Sequence, residues 1–173
     1  MNIFYLDPNP IRAAMLHCDV HVRKMILESA QMLCAAHEEG SAPYKRTHYN
    51  HPCTKWVRED LGNYLWLCRL GLALCEEYTA RTNKVHKTQE VLQWCRDNVP
   101  TSLTNKTHGW TKPPCCMPDE FIVSLDPVVN YTLYYGHKLS TFSIKQAAYS
   151  NRQGEAQFWH QFRDIVRETG GSL

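Results

Sequence analysis

From Ile11 to His37 the chain contains neither Gly nor Pro, and Ala, Met, Leu, Lys, Glu and Gln, all strong helix formers, recur throughout. This stretch predicts one long helix over 11–37, entered through the stop-and-turn signal "DPNP", with Pro10 in its first turn. Ahead of it, "NIFYL" (Asn2 to Leu6) is short and apolar and reads as an extended segment tucked against a core. At about 100° per residue, His17, His21, Lys24, Glu28 and Gln31 share a stripe about 80° wide, and Arg12, Asp19 and Arg23 cluster on the opposite side. An ordinary surface helix has one wet face, whereas this one has two. Two readings follow: both rows are solvated, or the Arg/Asp row meets water while the proton-handling row lines a cleft.

The remaining pattern is also helical. A polar loop spans 38–52. A second helical region starts near Pro52, with Gly62 and Asn63 as a kink, and continues to about Thr82 through "NYLWLCRLGLALCEEYTAR". Apolar residues surround nearly the whole of it, which marks it as the central buried element. "TQEVLQWCRDN" forms a shorter helix with Thr88 as cap. Residues 99–127, rich in Pro, Thr and Lys, form a long loop wrapped over the core. "YTLYYGHKL", "SIKQAAYSN" and "GEAQFWHQFRDIVRET" suggest two or three short closing helices. The expected fold is all-α: one compact helical domain over 1–173 with a long N-terminal helix, a buried central helix and a long Pro-rich loop. Residues 128–173 form a basic, aromatic, helical extension of that domain.

Net charge is only +2, so its total says little about partners. No apolar run approaches the roughly 20 residues of a membrane span, and "MNIFYLDPNP" lacks the regions of a secretory signal. A cytoplasmic protein with no membrane partner is expected. The cysteines, at 18, 34, 53, 68, 75, 95, 115 and 116, include no C-x-x-C pair. Those inside helical patterns read as small apolar fillers of a reduced protein. "PPCCMP" (Pro113 to Pro118) is the least implausible centre for zinc, but no metal and no cofactor are expected.

Glu28 is the candidate catalytic carboxylate, because a carboxylate near Lys24, His17 and His21 can be tuned by neighbours and desolvation. His17 and His21, at i and i+4, could instead hold a metal with a distant ligand such as His51 or His86, giving a metal-dependent hydrolase. Gln31 is a candidate substrate contact on the same stripe. In "NHPCTKW", His51 reads as a site residue or a cap, and Trp56 as core or a base-stacking platform. Asn63, Tyr64 and Arg81 are polar groups on an apolar helix and need partners, which a ligand or the stripe would supply; Glu77 and Arg81 are spaced for an ion pair. Val128 to Gly154 contains no Asp or Glu but holds Lys138, Lys145 and Arg152 among Tyr131, Tyr134, Tyr135, Phe142 and Tyr149. That composition suits phosphate neutralisation and base stacking, or a packed subdomain.

"DVHVRKMILES" (Asp19 to Ser29) resembles the first long helix of the phage pyrimidine-dimer DNA glycosylases, the endonuclease V family. The resemblance places Asp19 and His21 on that family's Asp-x-His pair and Glu28 on its catalytic carboxylate. "YTLYYGHK" (Tyr131 to Lys138) resembles the family's terminal Tyr- and Lys-rich segment, which contacts DNA, so Tyr131, Tyr134, Tyr135 and Lys138 are candidate DNA contacts. The implied fold is all-helical with long loops. The implied activity acts on the base–sugar bond of damaged or modified DNA, or of a nucleotide, in the host cytoplasm if the chain is phage-encoded. The family forms a Schiff base through the amine of a Thr at position 2. Here residue 2 is Asn, too large for efficient Met removal, so the corresponding amine is that of Met1, with Lys24 as an alternative if it is buried. Two family arginines align with Leu27 and Gln31, so those charged contacts are missing. A divergent enzyme is implied; a non-catalytic nucleotide- or DNA-binding protein on the same fold is the alternative.

Overall fold

Helix starts follow a repeated local rule, a polar cap and then proline. Asn9, His51 and Asp126 each accept, through the side chain, the amide two residues on, and Pro10, Pro52 and Pro127 follow where no amide hydrogen is needed. They open α1 (Pro10–Met15), α3 (Pro52–Val57) and α6 (Pro127–Thr141). The computed structural model describes residues 1–107 and 109–168, so residues 169–173 of the expected C-terminal extension lie outside the described residues. The other helices are α2 (Asp19–Cys34), α4 (Leu61–Thr82), α5 (Gln89–Asp97) and α7 (Gln153–Glu168). Among the described residues there is no strand, and the fold is all-α. Among the described residues, no helix is long and apolar enough to cross a membrane.

Helix α4 is the central element, as its composition predicts. Tyr64, Leu67, Leu70 and Leu74 are completely buried, and α1, α2, α3 and α5 all pack against it. At Gly71 a Cβ would lie 2.7 Å from Leu92 Cδ2 of α5 and 3.4 Å from Ser29 Cβ of α2, so the absent side chain lets three helices converge. Asp60 caps α4 at Gly62, and Asn83, in the left-handed region at φ 56°, ends it. The break between α3 and α4 falls at 58–60, ahead of the expected Gly62–Asn63 kink. The described residues of 99–126 are irregular apart from two short 3-10 turns, Thr101–Leu103 and Asp119–Phe121. Thr88 stands at the start of α5 but does not cap it with its side chain; its hydroxyl pairs with Tyr44 at 3.0 Å.

The expected single helix over 11–37 is two helices. It breaks at Leu16–Cys18, where Cys18 turns extended (ψ 161°). Intrinsic propensity favours continuation, but tertiary hydrogen bonds outweigh it. Arg81 of α4, completely buried at its side chain, donates to the carbonyls of Met15 (3.0 Å) and His17 (2.7 Å). Tyr149 and Trp159 donate to the carbonyl of Leu16 at 2.7 and 3.1 Å, and Tyr135 accepts the Cys18 amide at 2.9 Å. The carbonyls freed by the break are therefore satisfied from α4, α7 and the 149 segment.

The same network corrects the reading of the Arg12/Asp19 row as a plain water face. Asp19 receives Arg81 at 3.0 Å and Ser150 through both amide and hydroxyl, and Arg12 pairs with Glu155. Glu77 binds Arg81 and Arg152 at 2.8 and 2.6 Å. "SIKQAAYSN" is a series of turns rather than a helix, because its backbone and side chains are used in docking: Ala148 carbonyl accepts the Asp19 amide at 2.8 Å. All the cysteines are free thiols, buried except Cys115 and Cys116, which are half-buried.

Arg81→Leu leaves Asp19 and two carbonyls without their buried partner. It is expected to destabilise the chain by about 3–5 kcal/mol, read by denaturant unfolding, with Arg23→Leu on the exposed side of α2 as the near-neutral control.

Candidate active site

The N-terminal strap Asn2–Leu6 lies buried across α2, and Asn2 fixes its path. Asn2 Oδ1 accepts the amides of Ile3 (2.7 Å) and Phe4 (3.0 Å), an Asx turn that supports Phe4 at φ 40°. Asn2 Nδ2 donates to the Cys116 carbonyl at 2.8 Å. The remaining donor, Asn2 N–H, reaches Glu28 Oε2 at 3.0 Å. The same oxygen stands 3.8 Å from the Met1 α-amine, and Oε1 stands 3.6 Å from Lys24 Nζ. Glu28 is buried, with its side chain 11% exposed. A carboxylate held by an amide and facing an α-amine can carry a proton from that amine or sit beside developing positive charge.

His21, about two turns before Glu28, is buried. Its ring stacks on Phe4 (4.8 Å, 25°), and its Nδ1 is 2.8 Å from the Tyr135 hydroxyl. Burial, followed by the charges of His17, Lys138 and Lys24, pushes its pKa down to about 3. His17 is fully buried in the break between α1 and α2, so it does not continue the stripe. Its Nδ1 pairs with the Ala13 carbonyl at 2.7 Å, Nε2 has no hydrogen-bond partner, and burial lowers its pKa to about 4. Among the described residues, His17 and His21 fall in no group of three or more metal-ligating side chains. Lys24 is 63% exposed at its side chain, so it lacks the burial that a nucleophilic lysine requires. Gln31 is half-buried on the same helix.

Several other candidates prove to be architectural. Trp56 is buried, and its indole donates to the Thr111 carbonyl at 2.9 Å. Asn63 is buried, donates to the Trp56 carbonyl and Thr111 hydroxyl, and accepts the Thr111 amide. Tyr64 donates to the Cys95 carbonyl, and Arg81 is the hub described above. Tyr131 is fully buried and donates to the Pro114 carbonyl at 2.7 Å; Tyr135 is fully buried beneath His21. These aromatics offer no face to a ligand, since packing consumed their rings and the backbone their polar atoms. Arg152 is spent on Glu77. Tyr134 and Lys138 stay half-exposed and adjacent, with Lys138 Nζ 5.5 Å above the Tyr134 ring. His51 caps α3, beside Cys53.

Two features were not singled out by the sequence pattern. Asn2 carries an Asx signal, but its partners are remote in sequence. Tyr5, Trp66 and Trp110 line a groove of about 560 Å³ together with Arg69; four separate segments build it.

With this geometry in view, the comparisons with known proteins are specific. The family profile described as "Pyrimidine dimer DNA glycosylase" matches residues 1–91, more than half of the chain and all of α1 to α4. The chain belongs to the pyrimidine dimer DNA glycosylase family. No curated protein and no solved structure gives a significant match.

The lowered histidines set an acid limit on stability. His17 and His21 stay neutral when folded, so as pH falls the unfolded chain takes up protons first. Their contribution is complete above about 6.5, the unfolded value, and is lost progressively toward about 4 and about 3. The melting temperature is expected to fall between about pH 7 and about pH 5. His21→Asn should flatten that decline; an identical slope would assign it to other groups.

Proposed function

We propose that the chain is a DNA glycosylase acting on the base–sugar bond of damaged or modified bases, with Glu28 as the catalytic carboxylate and the Met1 α-amine as nucleophile. The observation that carries this reading is the approach of that amine to 3.8 Å from Glu28 Oε2, with the Asn2 amide holding the same oxygen. In the reaction, the neutral amine gives its lone pair to C1′ as the C1′–base bond breaks. The bonding electrons leave with the base, which gains a proton from solvent. Glu28 faces the positive charge that builds on the sugar and takes the proton that the new N–C1′ bond sheds; when the C1′–O4′ bond then breaks, O4′ takes that proton back and a protonated imine is left. Lys24, paired with the other oxygen, offsets the carboxylate charge.

His21 and Tyr135 are positioning residues in this scheme. Through Phe4 they hold the strap that carries Met1 and Asn2. Lys138 and Tyr134 supply a phosphate contact and a stacking face, and the Tyr5–Trp66–Trp110 groove with Arg69 is a second stacking surface. The family match supports DNA over a free nucleotide as substrate.

The test is base release from duplexes that carry pyrimidine dimers, abasic sites or modified bases, with borohydride trapping of the imine. Glu28→Gln should lower turnover by at least about 100-fold while the chain remains folded. Blocking the α-amine should abolish trapping. Full turnover by Glu28→Gln would remove the carboxylate from the mechanism. Tight DNA binding by a wild-type chain that releases no base would favour the binding-protein alternative.

A further inference from the structure

Beside the strap lies a second cluster, which the proposed glycosylase chemistry does not use. One ring nitrogen of His51 and the Sγ atoms of Cys53 and Cys116 lie within 4.8 Å of one another, and the two sulfurs are 3.3 Å apart. His51 and Cys53 come from the first turn of α3. Cys116 comes from the irregular 99–126 segment, far away in sequence. We propose that His51, Cys53 and Cys116 form a binding site for a soft divalent cation, zinc by preference.

Four observations support the assignment. First, the donors suit the ion: two thiolates and an imidazole select zinc over magnesium or calcium. Second, the spacing is close to what the ion needs: zinc–sulfur bonds of about 2.3 Å and zinc–nitrogen bonds of about 2.0 Å hold tetrahedral ligands roughly 3.5–3.8 Å apart, so the two sulfurs, now 3.3 Å apart, need only open slightly. Third, Cys116 is preset from outside the cluster, while His51 exchanges a cap bond for the ion: its Nδ1 accepts the Cys53 amide at 3.2 Å, and that lone pair is lost to the amide once Nδ1 carries the proton or the metal. The Tyr131 hydroxyl accepts the Cys116 amide at 3.3 Å and donates to Pro114, and Asn2 holds the Cys116 carbonyl. Fourth, the neighbouring cysteine is excluded: Cys115 Sγ turns away to accept Asn130 Nδ2 at 3.4 Å.

The two thiols start unequal: their shared hydrogen bond lowers the Cys116 thiol, while the same bond and burial raise that of Cys53. Binding would release the thiol protons to solvent. With three protein ligands, the fourth position is left to water or an exogenous group. A bound ion would join α3 to the segment that holds Asn2, and so would stiffen the strap behind Met1 and Glu28. The proposal rests on these three residues and not on the glycosylase reading.

The test uses the full chain, reduced and without an affinity tag. Zinc titrated against a chromophoric chelator should bind at one equivalent, raise the melting temperature and release protons. Cobalt in its place should give an intense thiolate-to-metal charge-transfer band. Cys116→Ser and His51→Asn, both at half-buried positions, should each weaken zinc by more than about 100-fold, beyond what loss of a mere outer partner costs. Cys115→Ser should bind like the wild type. The proposal fails if the reduced chain takes up no stoichiometric zinc, if Cys116→Ser binds unchanged, or if the two sulfurs resist reduction as a disulfide.

Discussion

The guanidinium of Arg81 is the interaction on which the arrangement of this molecule depends. It lies within the central helix and donates to two backbone carbonyls at the break between α1 and α2, to Asp19 at the start of α2, and to Glu77 one turn back on its own helix. An arginine suits this position because its planar fork carries fixed donors that can serve several acceptors at once. Its burial is tolerable because the acceptors surround it and Arg152 shares the charge of Glu77. Through these bonds α2 leaves α1 at a set angle, and that angle turns Glu28 toward the N-terminal strap.

The strap is the second constraint. Asn2 uses each polar atom of its side chain and its own amide on a different target: its own turn, the Cys116 carbonyl and the Glu28 carboxylate. A positive φ at Phe4 is the conformational cost, offset by the two amides that Asn2 receives and by Phe4 packing on His21, Tyr134 and Tyr135. In the proposed chemistry the Met1 amine takes the place of the Thr amine of the family resemblance, and Asn2 anchors it. Asn2 also holds the Cys116 carbonyl, so one residue links the proposed catalytic carboxylate and the proposed ion.

The C-terminal third illustrates how packing reassigns residues. A stretch without acids and rich in tyrosine has the composition of a nucleic-acid surface. In the structure, Tyr131, Tyr135 and Tyr149 are buried and hold backbone atoms of other segments, and Arg152 neutralises Glu77. Tyr134 and Lys138 alone of the four singled-out residues of α6 stay accessible. Composition could not separate the two sets, because a tyrosine that bonds a buried carbonyl and one that stacks on a base are the same letter.

The sequence by itself determined the helical class, the proline-led starts of α1 and α3 and the buried character of α4. Each follows from local propensity, capping or one-dimensional apolar periodicity, all of which act within a few residues. It also marked Glu28 and His21, through their spacing on α2 and a family resemblance carried by that helix. Only the tertiary structure decided that 11–37 is two helices, that His17 leaves the stripe, that Asn2 organises the carboxylate, and that His51, Cys53 and Cys116 meet. Those outcomes depend on donors and acceptors far apart in the chain, such as Arg81 on the Met15 carbonyl or Asn2 on the Cys116 carbonyl. A hydrogen bond between remote residues leaves no periodicity behind, and it can outweigh the helix propensity of every residue at the point where it forms.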